Sequence, residues 1–233
     1  MMPQQSFPDA EARASLSRGI SDDAIYRMVQ RAIRQRRPEH DGVVIDVGCG
    51  AGGLWQILSG QFQTYIGVDA VKYTGFPESG QFCKAEFNTE PIQLPDGSAD
   101  VAACVETIEH VENPRALARE LVRLAKPGGW IIITTPNQLA FASLACLLLR
   151  RNFQHFQEGG EGGYPTHISA LLEIDLIRIA RENSLTDIAI DYTNRGRIPF
   201  TRMNWPAMWP FRGRRFSDNI MVVARKPESP AGR

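Results

Sequence analysis

Glu106, Glu109 and His110 fall within five residues, in the stretch VETIEHVENP. Spacings of three and four set such side chains on one side of a helical turn. Two carboxylates beside an imidazole repel each other in a dry pocket unless one takes a proton or a cation joins them. Hard oxygens with one imidazole suit Mg²⁺ or Mn²⁺ better than a thiolate-seeking zinc. His167, in the later segment PTHIS, is a candidate fourth ligand. The same residues also support metal-free chemistry, with His110 as general base assisted by Glu106 or Glu109. Both readings stay open on the sequence.

A second group of residues is suited to holding an adenosine-type ligand. Residues 43–53 read VVIDVGCGAGG, an apolar run, an acid and four glycines leading into LWQIL. A strand that enters a glycine turn and then a helix lets the backbone approach a ligand closely. Gly48, Gly50 and Gly53 also fit a dinucleotide pattern. Asp46 argues otherwise, because a carboxylate beside a pyrophosphate is unfavourable, whereas a cationic sulfonium carrying an amino acid tolerates it. Asp69, at the end of TYIGVD about 20 residues on, is placed to accept from two ribose hydroxyls.

These groups need a scaffold, and the pattern of the chain supplies one. The periodicity predicts a helix from Ser21 to about Arg36 and others at about 52–59, 114–125 and 169–183. Strands are expected at 43–47, 64–69, 82–87, 100–105, 130–135, near 186–192 and at 218–225. Asn113 and Pro114 read as the cap and first residue of the third helix. Alternation of strands and helices argues for an α/β fold with a doubly wound, largely parallel sheet. The last strand follows a loop rather than a helix and is expected to return antiparallel. Residues 1–20 and 226–233 read as loose ends around one domain at 21–225, with an insertion at about 138–164.

Composition excludes several classes. The chain has 26 basic and 26 acidic residues, so a whole-surface affinity for nucleic acid is not indicated. Cys49, Cys83, Cys104 and Cys146 lack metal-type spacing and read as reduced core residues of a cytoplasmic protein. No apolar run is long enough to span a bilayer.

From 43 to 137 the sequence resembles the class I S-adenosylmethionine-dependent methyltransferases. DVGCGAGG, LPDGSAD, EHVENP and KPGG occur in the order and at the spacing of that family. The resemblance implies a Rossmann-like, three-layer, seven-stranded sheet with an antiparallel last strand. It implies S-adenosylmethionine as cofactor, with Asp46, Gly48, Gly50 and Gly52 bordering its methionine moiety and Asp69 its ribose. Asn88 stands where many relatives carry an aspartate toward the adenine, and Val105 and Glu106 should lie near the sulfonium. The E-x-x-E-H stretch with a later histidine is similar to two metal-dependent branches, the ubiquinone-pathway O-methyltransferases and the small-RNA 3′-terminal 2′-O-methyltransferases. By that resemblance Glu106, Glu109, His110 and His167 form the metal set.

The acceptor side is less specific. The insertion contains LAFASLACLLL, apolar on nearly every face, followed by Arg150 and Arg151. It reads as a cap helix buried over the site or as an element lying on a bilayer. The Gly-rich EGGEGGYPTH beside it is of the kind that closes over substrates. Residues 194–217 hold six arginines and five large aromatics with no acid, a composition suited to phosphates, stacked rings or a lipid headgroup layer. The expected activity is methylation of a hydroxyl on a small-molecule or lipid- or glycan-linked acceptor. The alternatives are a terminal RNA 2′-O-methyltransferase, a non-catalytic cofactor-binding partner subunit and, more weakly, an NAD-dependent dehydrogenase.

Overall fold

Asp22 opens the first helix, α1 (Asp23–Arg36), its carboxylate accepting from the Ala24 N–H. Ile25, Met28, Val29, Ala32 and Ile33 recur at helical spacing and are buried along one face. The computed structural model describes residues 19–37, 39, 41–157, 167–206 and 208–228. Within them follow β1 (Val43–Val47), α2 (Gly53–Leu58), β2 (Thr64–Asp69), β3 (Gln81–Lys84) and β4 (Ala99–Val105). Then come α3 (Pro114–Leu124), β5 (Ala125–Pro136), α4 (Phe141–Arg150), α5 (Glu173–Glu182), β6 (Thr186–Tyr192) and β7 (Asn219–Arg225).

The seven strands form one sheet in the order β3-β2-β1-β4-β5-β7-β6. Five pair in parallel, and β7 runs antiparallel to both β5 and β6, as the connection without a helix led one to expect. Side chains alternate between the two faces, so each strand feeds two cores. On one face Ile45, Val47, Ala102 and Cys104 pack with Leu117, Leu121, Leu176 and Ile179 of α3 and α5. On the other, Val44, Val101, Ala103 and Val105 pack with Met28, Val29 and Leu54 of α1 and α2. The result is a three-layer α/β sandwich.

Parallel strands place their carboxyl ends, and the loops that leave them, along one edge. That edge is held in register by polar clamps at the opposite end of the strands. Arg123 of α3 donates to the carbonyls of Ile92 and Leu94 and to the Asp96 carboxylate, which fixes the LPDG turn ahead of β4. Lys226 Nζ donates to the carbonyls of Val122 and Ala125 at the end of α3, so the chain just beyond β7 is tied down. At the other terminus the Gly19 carbonyl accepts from the Ala51 N–H. Expectations for 1–18, 158–166 and 229–233 lie outside the described residues.

Three boundaries differ from the sequence reading. β3 ends at Lys84 rather than 87, because the backbone turns at Glu86, whose carbonyl accepts from the Thr89 and Glu90 N–H groups. β5 begins at Ala125, directly from α3, with an irregularity in its pairing to β4 between Ala99 and Val101 accommodating the Pro127-Gly-Gly segment. The fifth helix starts at Glu173 rather than 169, because Ile168 and Ser169 both donate backbone N–H groups to the Glu109 carbonyl. The insertion helix α4 is also less buried than a cap would be: Ala142, Ser143 and Cys146 face inward, whereas Leu148 and Leu149 are exposed.

Candidate active site

β1 delivers Asp46 and then the glycine turn. The N–H groups of Gly48 and Cys49 donate to the Val68 carbonyl, and the Gly50 N–H donates to Asp69 Oδ2 at 2.9 Å. Gly48 has φ of +80°, and a Cβ there would lie 2.0 Å from Thr107 Oγ1, so only glycine fits without a shift. Gly50 is equally constrained, since its Cβ would meet the Gly19 carbonyl oxygen at 2.2 Å. Gly52 stands at the start of α2, also with positive φ.

Asp46 is buried, and Tyr65 donates to its Oδ2 at 2.9 Å. Its other oxygen, Oδ1, has no hydrogen-bond partner among the described residues. Burial, partly offset by Tyr65 and reinforced by the charge of Asp69, pushes this carboxyl up to about 7. An orphaned acid oxygen at the foot of the glycine turn suits a cationic ligand group that replaces its proton. Asp69 accepts from the Gly50 N–H at Oδ2 and the Ala70 N–H at Oδ1, and Val71 adds a third backbone donor, which leaves part of its acceptor capacity for a ligand. Asn88 Oδ1, the atom expected to face the adenine, accepts from the Glu112 N–H at 2.9 Å. Val105 is buried at the end of β4.

Immediately after β4 the chain bends, and Glu106 takes a positive φ of 51°, a conformation uncommon outside glycine. Thr134 of β5 fixes it, accepting from the Glu106 N–H at 3.0 Å and donating to Glu106 Oε1 at 2.8 Å. Asn219 Nδ2 donates to Glu106 Oε2 at 2.6 Å. Both oxygens therefore have protein donors, and loss of hydration still raises the carboxyl to about 7.

A short 3₁₀ turn over Ile108–His110 follows. Glu109 on it is fully buried, and neither carboxylate oxygen has a partner at full hydrogen-bond geometry among the described residues, although the Thr135 hydroxyl lies near enough to favour the ionised form. Burial first, and the charge of Glu106 second, raise its pKa well above the usual carboxylate range. Its main-chain carbonyl holds Ile168 and Ser169, and Ser169 Oγ donates to the Val111 carbonyl at 2.7 Å. This pinned segment brings His167 against His110, with ring centroids 4.6 Å apart in an edge-to-face arrangement.

Glu109, His110 and His167 each offer a ligand atom, and these atoms lie within 4.8 Å of one another. Glu106 stands outside that group, turned toward Thr134 and Asn219 instead. The reason is local: the positive-φ bend separates Glu106 from the 3₁₀ turn, so the four residues do not share one helical face. His167 Nδ1 is buried and unpartnered, while the ring makes a hydrogen bond to the His155 backbone. Burial and the neighbouring His110 lower the His167 pKa to about 3, which keeps the imidazole neutral and able to ligate. Weakly partnered Glu109 oxygens and a neutral, unpartnered His167 nitrogen fit a hard divalent cation.

Sequence reasoning did not find several residues of this site. Tyr65, Thr134 and Asn219 carry no local signal, since their roles depend on strand pairing. His155 is also new. Its ring lies 6.4 Å from that of His167, with Nε2 buried and unpartnered, and burial lowers its pKa. It sits in the segment NFQHFQ, where only its proximity to His167 in space draws notice.

Comparison with known proteins agrees with this fold. A family model described as a methyltransferase domain matches residues 21–189. The chain is 31% identical over 163 residues to a ubiquinone biosynthesis O-methyltransferase of Thiobacillus denitrificans, covering 66% of this chain and 69% of that protein. A protein of the same description from Paracidovorax citrulli is 32% identical over 116 residues, which is 48% of its length. The crystal structure of an S-adenosylmethionine-dependent methyltransferase from Archaeoglobus fulgidus shares the fold, with a TM-score of 0.61 at 18% identity, over 94% of this chain and 100% of that one. A glycine turn between β1 and α2, a ribose-type acid at the end of β2 and an antiparallel β7 thus occur in a chain whose larger part matches a methyltransferase model, and the protein belongs to the class I S-adenosylmethionine-dependent methyltransferases.

Proposed function

We propose that this enzyme methylates a hydroxyl oxygen of a small-molecule or lipid- or glycan-linked acceptor, with a divalent cation held by Glu109, His110 and His167. The observation that carries this reading is the convergence of the three ligand atoms within 4.8 Å, with both Glu109 oxygens and His167 Nδ1 lacking partners at full hydrogen-bond geometry. Relatives named as ubiquinone biosynthesis O-methyltransferases support oxygen as the methylated atom. When bound, a cation of this kind makes a coordinated hydroxyl more acidic, and S-adenosylmethionine supplies the methyl group.

The protein's own part is alignment and charge placement. Asp46 and the glycine turn would receive the amino-acid end of the donor, and Asp69 its ribose. Asn88, with its Oδ1 engaged by Glu112, would contribute at most a second lone pair toward the adenine. Methyl transfer is an in-line displacement, so holding acceptor oxygen and donor sulfur in line lowers the barrier most. Glu106, beyond Val105 and oriented by Thr134 and Asn219, would act from its positive-φ bend as a neighbouring carboxylate rather than as a ligand. Without a cation, burial favours the neutral form of Glu109 and His110 is the remaining candidate base.

Calorimetric titration of Mn²⁺ into the S-adenosylhomocysteine complex tests this reading. Saturable binding with one ion per chain, weakened by about tenfold or more in Glu109→Gln, is the expected result. Cofactor binding with no metal response would remove the cation and leave His110 as the base.

A further inference from the structure

The exposed face of α4 and the arginine-rich segment 194–217 come together on one surface. The Arg150 guanidinium lies over the Phe200 ring at 5.3 Å. Phe141, at the start of α4, packs against Phe216 and Trp205 with centroids 5.1 and 6.5 Å away, and Trp205 stacks on Phe211 at 5.4 Å. This inner aromatic cluster ties helix and segment together. Its outer side carries apolar groups that packing leaves in water. Leu148 is 82% exposed, Leu149 73%, Trp209 86% and Met203 67%, with Phe200 and Met208 more than half exposed. Scattered apolar residues on a surface are ordinary, but this many on two adjoining elements are not.

Basic residues predominate around this surface. Residues 194–217 contain six arginines and no acid, and Arg150 and Arg151 end α4. Arg195 and Arg214 are paired with Asp22 and Glu173, and Asp218 lies close to Arg197, so these three are partly neutralised. Arg202 sits in the tight turn between Phe200 and Met203, where the Met203 carbonyl accepts from the Ile198 N–H. Basic groups thus rim protruding Leu, Met, Phe and Trp side chains, although the chain as a whole is neutral. Guanidinium groups pair with phosphates, and tryptophan and leucine tips enter the layer just below them. No helix among the described residues is long and apolar enough to cross a membrane, so contact on this face would be peripheral.

We infer that the surface formed by Leu148 and Leu149 of α4 with Phe200, Met203, Met208 and Trp209, rimmed by Arg150, Arg151 and Arg202, docks on an anionic lipid bilayer. The inference concerns a face separate from the Glu109–His110–His167 cluster and holds whatever the acceptor is. Charge complementarity selects a bilayer over a second copy of the chain, because two such faces brought together would oppose arginine to arginine.

Co-sedimentation of the full chain with vesicles of phosphatidylglycerol or of phosphatidylcholine tests it. The expected result is binding to phosphatidylglycerol, weakened by salt, and little to phosphatidylcholine. Arg150→Gln and Arg202→Gln should each lower the partition coefficient about fivefold. The triple variant Leu148→Glu, Leu149→Glu, Trp209→Glu should lose it while still binding S-adenosylhomocysteine. Failure of the wild-type chain to bind phosphatidylglycerol vesicles would overturn the inference without touching the proposed chemistry. A dimer in light scattering that the triple variant converts to monomer would overturn it too, assigning the face to a second copy.

Discussion

Glu109 faces two ways: its side chain joins His110 and His167, and its main-chain carbonyl accepts from Ile168 and Ser169 at 2.9 Å each. One residue therefore supplies a carboxylate to the cluster and anchors the backbone that delivers the imidazole opposite. Glu106, three positions earlier, belongs to a different network with Thr134 and Asn219.

That division predicts unequal effects on metal affinity. Glu109→Gln and His167→Ala are expected to weaken Mn²⁺ binding by about tenfold or more, as loss of a ligand or its orientation does. Glu106→Gln should leave Mn²⁺ affinity within about threefold of wild type, because both of its oxygens are engaged by Thr134 and Asn219. Isothermal calorimetry on the three variants decides the matter. Equal loss in Glu106→Gln would place that residue in the metal set after all.

The Asp46 carboxyl predicts how cofactor binding responds to pH. Its folded pKa of about 7 lies above the ordinary 3.8, so the ionised form is disfavoured in the fold. This group's cost to stability therefore grows as pH rises from about 4 to about 7 and is constant above. A cationic ligand group at the orphaned Oδ1 would draw the pKa down and release a proton. S-adenosylmethionine affinity is accordingly expected to climb between about pH 6 and 8 and then level off. Asp46→Asn should abolish the slope, which equilibrium dialysis across that range would measure.

Gly48→Ala is expected to destabilise the enzyme by about 2 kcal/mol or more. The new Cβ meets Thr107 Oγ1 at 2.0 Å and the backbone is held at φ of +80°. Adding Thr107→Gly, which also removes the Thr107 Cβ that would stand 2.6 Å from the new one, should return part of that loss, the steric part, and leave the backbone strain. Urea unfolding of the single and double variants separates the two contributions.

In the core, Leu121 of α3 is completely buried against the sheet. Leu121→Ala should cost about 3 kcal/mol, the transfer loss plus the cavity left behind. A shift in urea midpoint with an unchanged slope is the expected signature.

The glycine turn, Asp69 and the strand–helix alternation were legible because each is set by neighbours in sequence. Positive φ, apolar periodicity and capping at Asn113 are local properties. Boundaries were lost where distant backbone intervened, as when Glu109 held Ile168 and Ser169 out of the helix before α5. Helical spacing put Glu106 beside Glu109 and His110, yet from a positive-φ bend its side chain turns to Thr134 and Asn219, which no pattern of residue types announces. Asn88 likewise matched a position in the family motif while its oxygen serves Glu112. Asn219, Thr134 and His155 reach the site only through the sheet order and the return of the chain, information that a linear string does not display.

Because two N–H groups immediately after His167 are fastened to Glu109, the imidazole takes its position from the chain on its downstream side. On its other side the ring meets His155 and Phe156, with centroids 6.4 and 5.4 Å away. A carboxylate and an imidazole from distant parts of the sequence are thus mechanically coupled through one carbonyl. A shift of the turn after β4 would carry both with it, so the pair moves as a unit rather than drifting apart.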